Sequence, residues 1–226
     1  MWPPVMAAFP LFEVTLRASV YVDGFNLYYG LKHYERQGRL YKWLDLAALC
    51  RAELPNDAIQ RIRYCTALIQ PRLMNPQQDL RQQTYLRALR TIPNLSIDYG
   101  HFLQSHVWMP LRHPPVGGNP LVEVVKTEEK GSDVNLATRL LCDGFAGDYD
   151  IAVIISNDSD LCMPIEVVRK QLKRQVGVLN PTQRFSSALR RVTTFYKKIR
   201  ETSLAASQFP PMLRDAQGTI STPAGW

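Results

Sequence analysis

The chain is poor in the residues that staple small folds together. Its four cysteines, Cys50, Cys65, Cys142 and Cys162, lie far apart with no C-x-x-C pair among them, so they read as reduced core residues of a reducing compartment. No apolar run approaches the length of a membrane span. The opening "MWPPVMAAFPLFEVTLRA" lacks a basic n-region and is broken by Pro3, Pro4 and Pro10, which argues against a secretory signal. The expectation is a soluble, cytoplasmic protein with no membrane partner. Histidine is scarce too, and His33, His101, His106 and His113 all lie away from the acidic motifs described below. There is no internal repeat.

What is present is enough apolar material, 46% of 226 residues, for one sizeable core rather than two. One domain over 18–200 is expected, after an N-terminal extension (1–17) and before a flexible tail or extended arm (201–226). The net charge is +7, and its excess is uneven. From Ile165 to Arg200 there are ten Lys or Arg against one acid, Glu166. A basic segment of that kind favours polyanions, although a solvated helical face has the same composition.

Strand-like runs alternate with helical periodicity. "ASVYVD" (18–23), "IQRIRYCTALI" (59–69), "LSIDYGHFLQ" (95–104), "DIAVIIS" (150–156) and "QVGVLN" (175–180) read as five strands. Between them lie helical patterns, one opened by Asp45 as an N-cap and one by Asn75 followed by Pro76. In "SDVNLATRLLCD" Ser132 is the expected cap, with Val134, Ala137, Leu140 and Leu141 turned inward. Parallel neighbours need crossover connections, usually helices, so the pattern predicts an α/β fold: a mainly parallel five-stranded sheet covered on both faces. The Pro- and Gly-rich stretch 105–126 interrupts it and is expected to form a hairpin-like arm. "SSALRRVTTFYKKI" reads as helical or mixed.

The chemistry lies in the acids. The apolar run Ile151–Ile155 ends in "SNDSD", placing Asp158 and Asp160 two positions apart; Asp23 ends the first strand in "YVDGFN"; Asp133 opens a helix in "KGSDVN". In a parallel sheet the carboxyl ends of the strands share one edge, where ligand sites form. If the strands at 18–23 and 150–156 are neighbours, Asp23, Asp158 and Asp160 converge. Taken singly, each is as well explained as a cap or turn residue. Together they would repel one another unless a cation neutralised them, and all-oxygen ligation selects hard ions such as Mg²⁺ or Mn²⁺. Such a site can hydrolyse phosphodiesters without histidine.

"VYVDGFNLYYG", "EEKGSDVNLATRLL" and "VIISNDSDLCMPIEVVRKQLKRQVGVL" resemble, in that order, the three signature blocks of NYN domains, the LabA-like branch of the PIN-like nuclease superfamily. The resemblance implies a three-layer α/β/α PIN-like, Rossmann-like sandwich and a metal-dependent ribonuclease. Asp23, Asp133, Asp158 and Asp160 would be the catalytic, metal-ligating acids, Asn26 a polar partner, and Ser156 and Asn157 the residues shaping the loop. Single-stranded or structured RNA is then the expected partner, with a homodimer or protein partner possible. Lys130, Arg169, Lys170, Lys173 and Arg174 are candidates for holding RNA backbone, and Tyr28, Tyr29 and Trp108 for stacking on unpaired bases, although core packing explains these aromatics as well. A fold kept only for binding RNA with weak turnover is the alternative. A phosphatase with an Asp nucleophile in the first motif would need a second Asp two positions on, where Phe25 stands.

Overall fold

The computed structural model describes residues 15–71, 75–224 and 226. The expected N-terminal extension therefore lies outside the described residues except for its last three positions. The chain forms β1 (Arg17–Asp23), α1 (Gly24–Glu35), α2 (Leu46–Glu53), β2 (Ala58–Ala67), α3 (Gln78–Leu89), β3 (Leu95–Pro110), β4 (Leu121–Lys130), α4 (Ser132–Phe145), β5 (Ile151–Ile155), α5 (Cys162–Lys170), β6 (Gln175–Asn180), α6 (Ser187–Val192), β7 (Phe195–Lys198), α7 (Glu201–Ala206), β8 (Met212–Asp215) and β9 (Gly218–Ser221).

The main sheet has seven strands, not five, in the order β4-β3-β2-β1-β5-β6-β7. All neighbours pair in parallel except β3 and β4. One extra strand is the returning limb of the expected arm: β3 runs on to Pro110 and β4 comes back beside it. The other is β7, whose four residues are too few and too basic to show a period-2 pattern. The chain moves outward from β1 to β3, returns to place β5 against β1, and moves outward again to β7. The order thus reverses between β1 and β5.

Alternation along β1 separates the two cores. Ala18, Val20 and Val22 face Leu27 and Leu31 of α1, Leu49 of α2 and Leu86 and Leu89 of α3. Tyr21, with Ala152 and Ile154 of β5, faces Leu136 and Leu140 of α4 and Ile165 and Val168 of α5. Every residue of β5 is buried, as a central strand covered on both faces requires. Within α4 the inward face is carried by Leu136 and Leu140, whereas Val134 is exposed. Gly131, not Ser132, occupies the cap position. Helix α3 likewise begins two residues after Pro76, and the side chain of Asn75 does not cap it.

Residues 201–226, read from sequence as a tail, form α7 and the β8–β9 hairpin. Leu204, Phe209, Ile220 and Trp226 enter the α1–α3 core. Arg87 of α3 pairs with Asp215, and the Trp43 indole donates to the Pro210 carbonyl at 2.9 Å. The two prolines and the absence of periodicity hid this because its elements are short and each is anchored by contacts distant in sequence. Cys50 and Cys65 are buried, Cys162 is half-buried and Cys142 is exposed; all four are free.

Candidate functional site

The reversal between β1 and β5 sets two strand ends side by side, the position where open α/β sheets bind ligands. Asp23 closes β1 and caps α1: its Oδ1 accepts from the Asn26 N–H at 2.9 Å. Its Oδ2 accepts from the Ser156 hydroxyl at 2.9 Å, one residue past β5. The same hydroxyl accepts from the Asp158 N–H at 3.1 Å, and the Asp158 carboxylate caps the following 3-10 turn by accepting from the Asp160 N–H at 3.0 Å. Asn26 Oδ1 accepts from the Asn157 N–H at 3.0 Å. Asn26, Ser156 and Asn157 thus lock the end of β1 to the end of β5.

Asn157 also reaches the next loop. Its amide donates to Thr182 Oγ1 and the Arg184 carbonyl, both at 3.1 Å, and accepts from the Tyr196 hydroxyl at 2.6 Å. Asp133 arrives from the other side, in the first turn of α4. The turn that delivers it needs Gly131, at φ 96°. It also needs Gly100, where a Cβ would fall 2.4 Å from the Lys130 carbonyl oxygen.

Asp23, Asp133 and Asp158 line one cleft of about 630 Å³. Asp160 is exposed beside it and acts on Asp133 through its charge. Burial pushes the Asp23 carboxyl up to about 6, helped by Asp133 and Asp158 and opposed by the Asn26 and Ser156 hydrogen bonds. Asp133, although exposed at the cleft wall, is raised as well, by partial desolvation and then by Asp158, Glu129 and Asp160. Among the described residues no cation figures among the groups acting on either carboxylate. Asp143, on α4, shows what a neutralised acid looks like in the same molecule. Its carboxylate accepts from Arg63 Nε and Nη2 at 3.0 and 2.8 Å and from the Tyr21 hydroxyl at 2.9 Å, and these bonds hold it below the ordinary range despite its burial. One cluster is structural and balanced; the other is left with surplus negative charge.

An all-oxygen set with uncompensated charge matches a hard divalent cation in donor chemistry. As they stand, the described residues contain no group of three or more His, Cys, Asp and Glu side chains close enough together to hold a metal ion. The fit is therefore one of donor type and charge, not of a finished coordination shell.

The basic candidates fare differently. Lys130 is exposed and 3.6 Å from Glu128. Arg169 donates to the Val192 carbonyl at 2.9 Å, Lys170 pairs with Glu166 at 2.8 Å, and Lys173 sits in a turn at φ 55°. Arg174 pairs with Asp150 at 3.3 Å, at the opposite edge of the sheet. Helix α5 starts beside the acids but, as a crossover, runs back to the start of β6, so Lys170, Lys173 and Arg174 end about 12 Å or more away. The cations that do line the cleft are Lys32, Lys42 and Arg81, none of them singled out by the sequence. Glu129 was missed too. Its carboxylate accepts from the Ser132 N–H at 3.0 Å, and its place three residues before a helix start was the available signal. Tyr28 and Tyr29 line the cleft, Tyr29 being 65% exposed; Trp108 is on the arm, 60% exposed.

Helices are present, but none among the described residues is long and apolar enough to cross a membrane. A crystal structure of a protein of unknown function from Vibrio parahaemolyticus shares the fold, with a TM-score of 0.55, 15% identity, and coverage of 83% of this chain and 94% of that one. The 6-hydroxy-3-succinoylpyridine 3-monooxygenase HspA of Pseudomonas putida is 30% identical over 243 residues, covering 93% of this chain and 75% of that protein. The family model for the NYN domain matches residues 17–200, which takes in β1 to β7 and every acid of the cleft: the chain belongs to the NYN domain family.

Proposed function

We propose that the protein is a metal-dependent ribonuclease. The observation that carries this reading is the contrast between Asp143, balanced by arginines, and the Asp23–Asp133–Asp158 group, unbalanced at the strand-order reversal. Two raised carboxyls, Asp23 and Asp133, lining one cleft with a third acid are what an active site needs and a structural cap does not. Asp23, Asp133, Asp158 and Asp160 would hold Mg²⁺ or Mn²⁺, which when bound generates a nucleophile from water near neutral pH and offsets charge on the leaving oxygen. Asn26, Ser156 and Asn157 fix the two strand-end loops against each other, so that Asp23 and Asp158 keep their spacing. Lys32 and Arg81, in the cleft, would hold phosphates. Because water rather than the 2′-hydroxyl attacks, the products carry a 5′-phosphate and a 3′-hydroxyl.

The test is cleavage of an end-labelled single-stranded RNA by the wild type and by Asp158→Asn, each with Mn²⁺ and with EDTA. Metal-dependent cutting by the wild type alone supports the reading; cutting that survives Asp158→Asn or EDTA sinks it. That these carboxylates share a cleft without standing close enough together to hold a metal ion favours a second reading, an RNA-binding protein with weak turnover, which predicts affinity in EDTA and no cleavage in Mn²⁺.

A further inference from the structure

The cleft does not end at the acids. It follows α1, whose residues Phe25, Tyr28, Lys32 and Glu35 line it at the spacing of one helical face, for about 15 Å. At its far end it lies between α1 and α3 and changes character. Tyr28, Tyr85 and Trp226 form an aromatic wall, with Tyr85 and Trp226 centroids 5.6 Å apart and Tyr28 and Trp226 centroids 6.5 Å apart. Lys42 is 6% exposed, and its ammonium is 5.7 Å from the centre of the Tyr28 ring and 5.4 Å from that of Trp226. Among the described residues its carboxylate partner is Glu35, at 2.9 Å. Gln78 and Arg81 of α3 form the opposite rim.

Two features mark this compartment as a binding place rather than packed core. It is continuous with the open cleft that holds the acids. The indole Nε1 of Trp226, a residue 9% exposed, is buried with no hydrogen-bond partner among the described residues, whereas in the same core Tyr85 donates to the Leu44 carbonyl and Trp43, the other indole, to that of Pro210, both at 2.9 Å. A buried donor without an acceptor is a standing cost, removed when an acceptor enters.

We propose that this compartment binds a planar heteroaromatic ring with an acceptor on its edge, the ring lying against Tyr28 and Trp226 and the acceptor edge facing the indole N–H and Lys42. The inference rests on the ribonuclease reading for the source of that ring: an unpaired base of the strand whose backbone crosses the acids. A free heteroaromatic molecule has the same chemistry, and the name of the Pseudomonas putida relative specifies a hydroxypyridine, so the test separates the two.

Binding of fluorescein-labelled hexa-adenylate, and of the same oligomer with one abasic position moved along it, is measured by anisotropy in EDTA for the full chain. A stacked base is worth roughly a factor of ten or more in affinity. The expected result is one abasic position that costs about that factor. Tyr28→Ala should weaken the intact oligomer to the same degree and leave that abasic oligomer unchanged. Trp226→Phe, which keeps a ring and removes only the N–H, should weaken the intact oligomer less. Arg81→Gln, a rim change away from the core, guards against loss of folding and should weaken both oligomers alike. Titration with 6-hydroxynicotinate tests the free ring. Saturable, Tyr28-dependent binding of it with no abasic effect keeps the compartment and assigns it to a small molecule. Equal binding of intact and abasic oligomers, with no Tyr28-dependent binding of the free ring, overturns the proposal. RNA cleavage that is unaffected by Tyr28→Ala, with no Tyr28-dependent binding of the free ring, refutes this inference while leaving the nuclease reading intact; base-dependent binding without cleavage does the reverse.

Discussion

Replacing Asp23 by Asn should make the metal-free protein more stable while abolishing cleavage. Asp23 is 5% exposed, and its carboxyl titrates at about 6 instead of 3.8. Each tenfold change in proton affinity corresponds to about 1.4 kcal/mol, so keeping it charged at pH 7 costs on the order of 3 kcal/mol. The sign is fixed by linkage. The folded state binds this proton more tightly than the unfolded chain, so the penalty is absent well below pH 4, grows between about 4 and 6, and is constant above. An amide keeps an oxygen for the Asn26 N–H but must turn a donor toward Ser156, a rearranged bond worth about 1 kcal/mol. The net expectation is a gain of about 2 kcal/mol for Asp23→Asn at pH 7 in EDTA, vanishing near pH 4. Urea unfolding of both proteins at several pH values measures it. Added Mn²⁺ should stabilise the wild type and not the variant, since a ligand that binds only the folded state stabilises in proportion to its occupancy. A variant less stable than the wild type at pH 7, with an unchanged pH slope, would refute the claim that Asp23 is an uncompensated buried charge.

Asp143→Ala should act in the opposite sense. It strands the Arg63 guanidinium that now holds the carboxylate at 2.8 and 3.0 Å, and should cost about 3–5 kcal/mol, read as a lower urea midpoint with little change in cleavage per folded molecule. Gly30→Ala would put a Cβ 2.4 Å from the Pro181 carbonyl oxygen, pushing away the loop that Asn157 holds. A loss of about 1–3 kcal/mol and of RNA cleavage is expected, tested by thermal melting beside the end-label assay. Lys32→Gln removes a cation from the cleft, while Arg174→Gln changes one at the opposite sheet edge. The first should weaken RNA binding and lower the salt dependence by about one ion, and the second should leave both unchanged.

The strands that carry the site were legible because burial on both faces writes them as continuous apolar runs: Ile151–Ile155 has no polar residue to blur it. Their acids were legible because a carboxylate directly after such a run has few other uses than a cap, and here Asp23 and Asp158 are caps as well as cleft residues. The returning strand β4 was legible as a limb of the hairpin-like arm though not as a member of the sheet, and the short β7 was not legible, since its pairing is decided by neighbours distant in the chain.

The misplacement of Lys170, Lys173 and Arg174 has a more general cause. They are near the "SNDSD" motif in sequence, and proximity in sequence to a helix that opens at the acids suggests that its charges come along. A crossover helix in a parallel sheet, however, must end where the next strand begins, so its last turn lies at the far edge. Residues that reach the cleft come instead from elements whose length runs beside it: the face of α1 bearing Tyr28 and Lys32, the facing turns of α3 bearing Gln78 and Arg81, and Trp226 from the far end of the numbering. That last contact explains why the segment after Glu201 matters to the site. Held by Arg87 and Trp43, it closes the end of the cleft away from the acids with an indole N–H that lacks an acceptor among the described residues. On the proposed reading, metal and ring are held along one helix, α1, whose first turn is capped by Asp23 and whose second turn contributes Tyr28 to a wall completed by Tyr85 and Trp226.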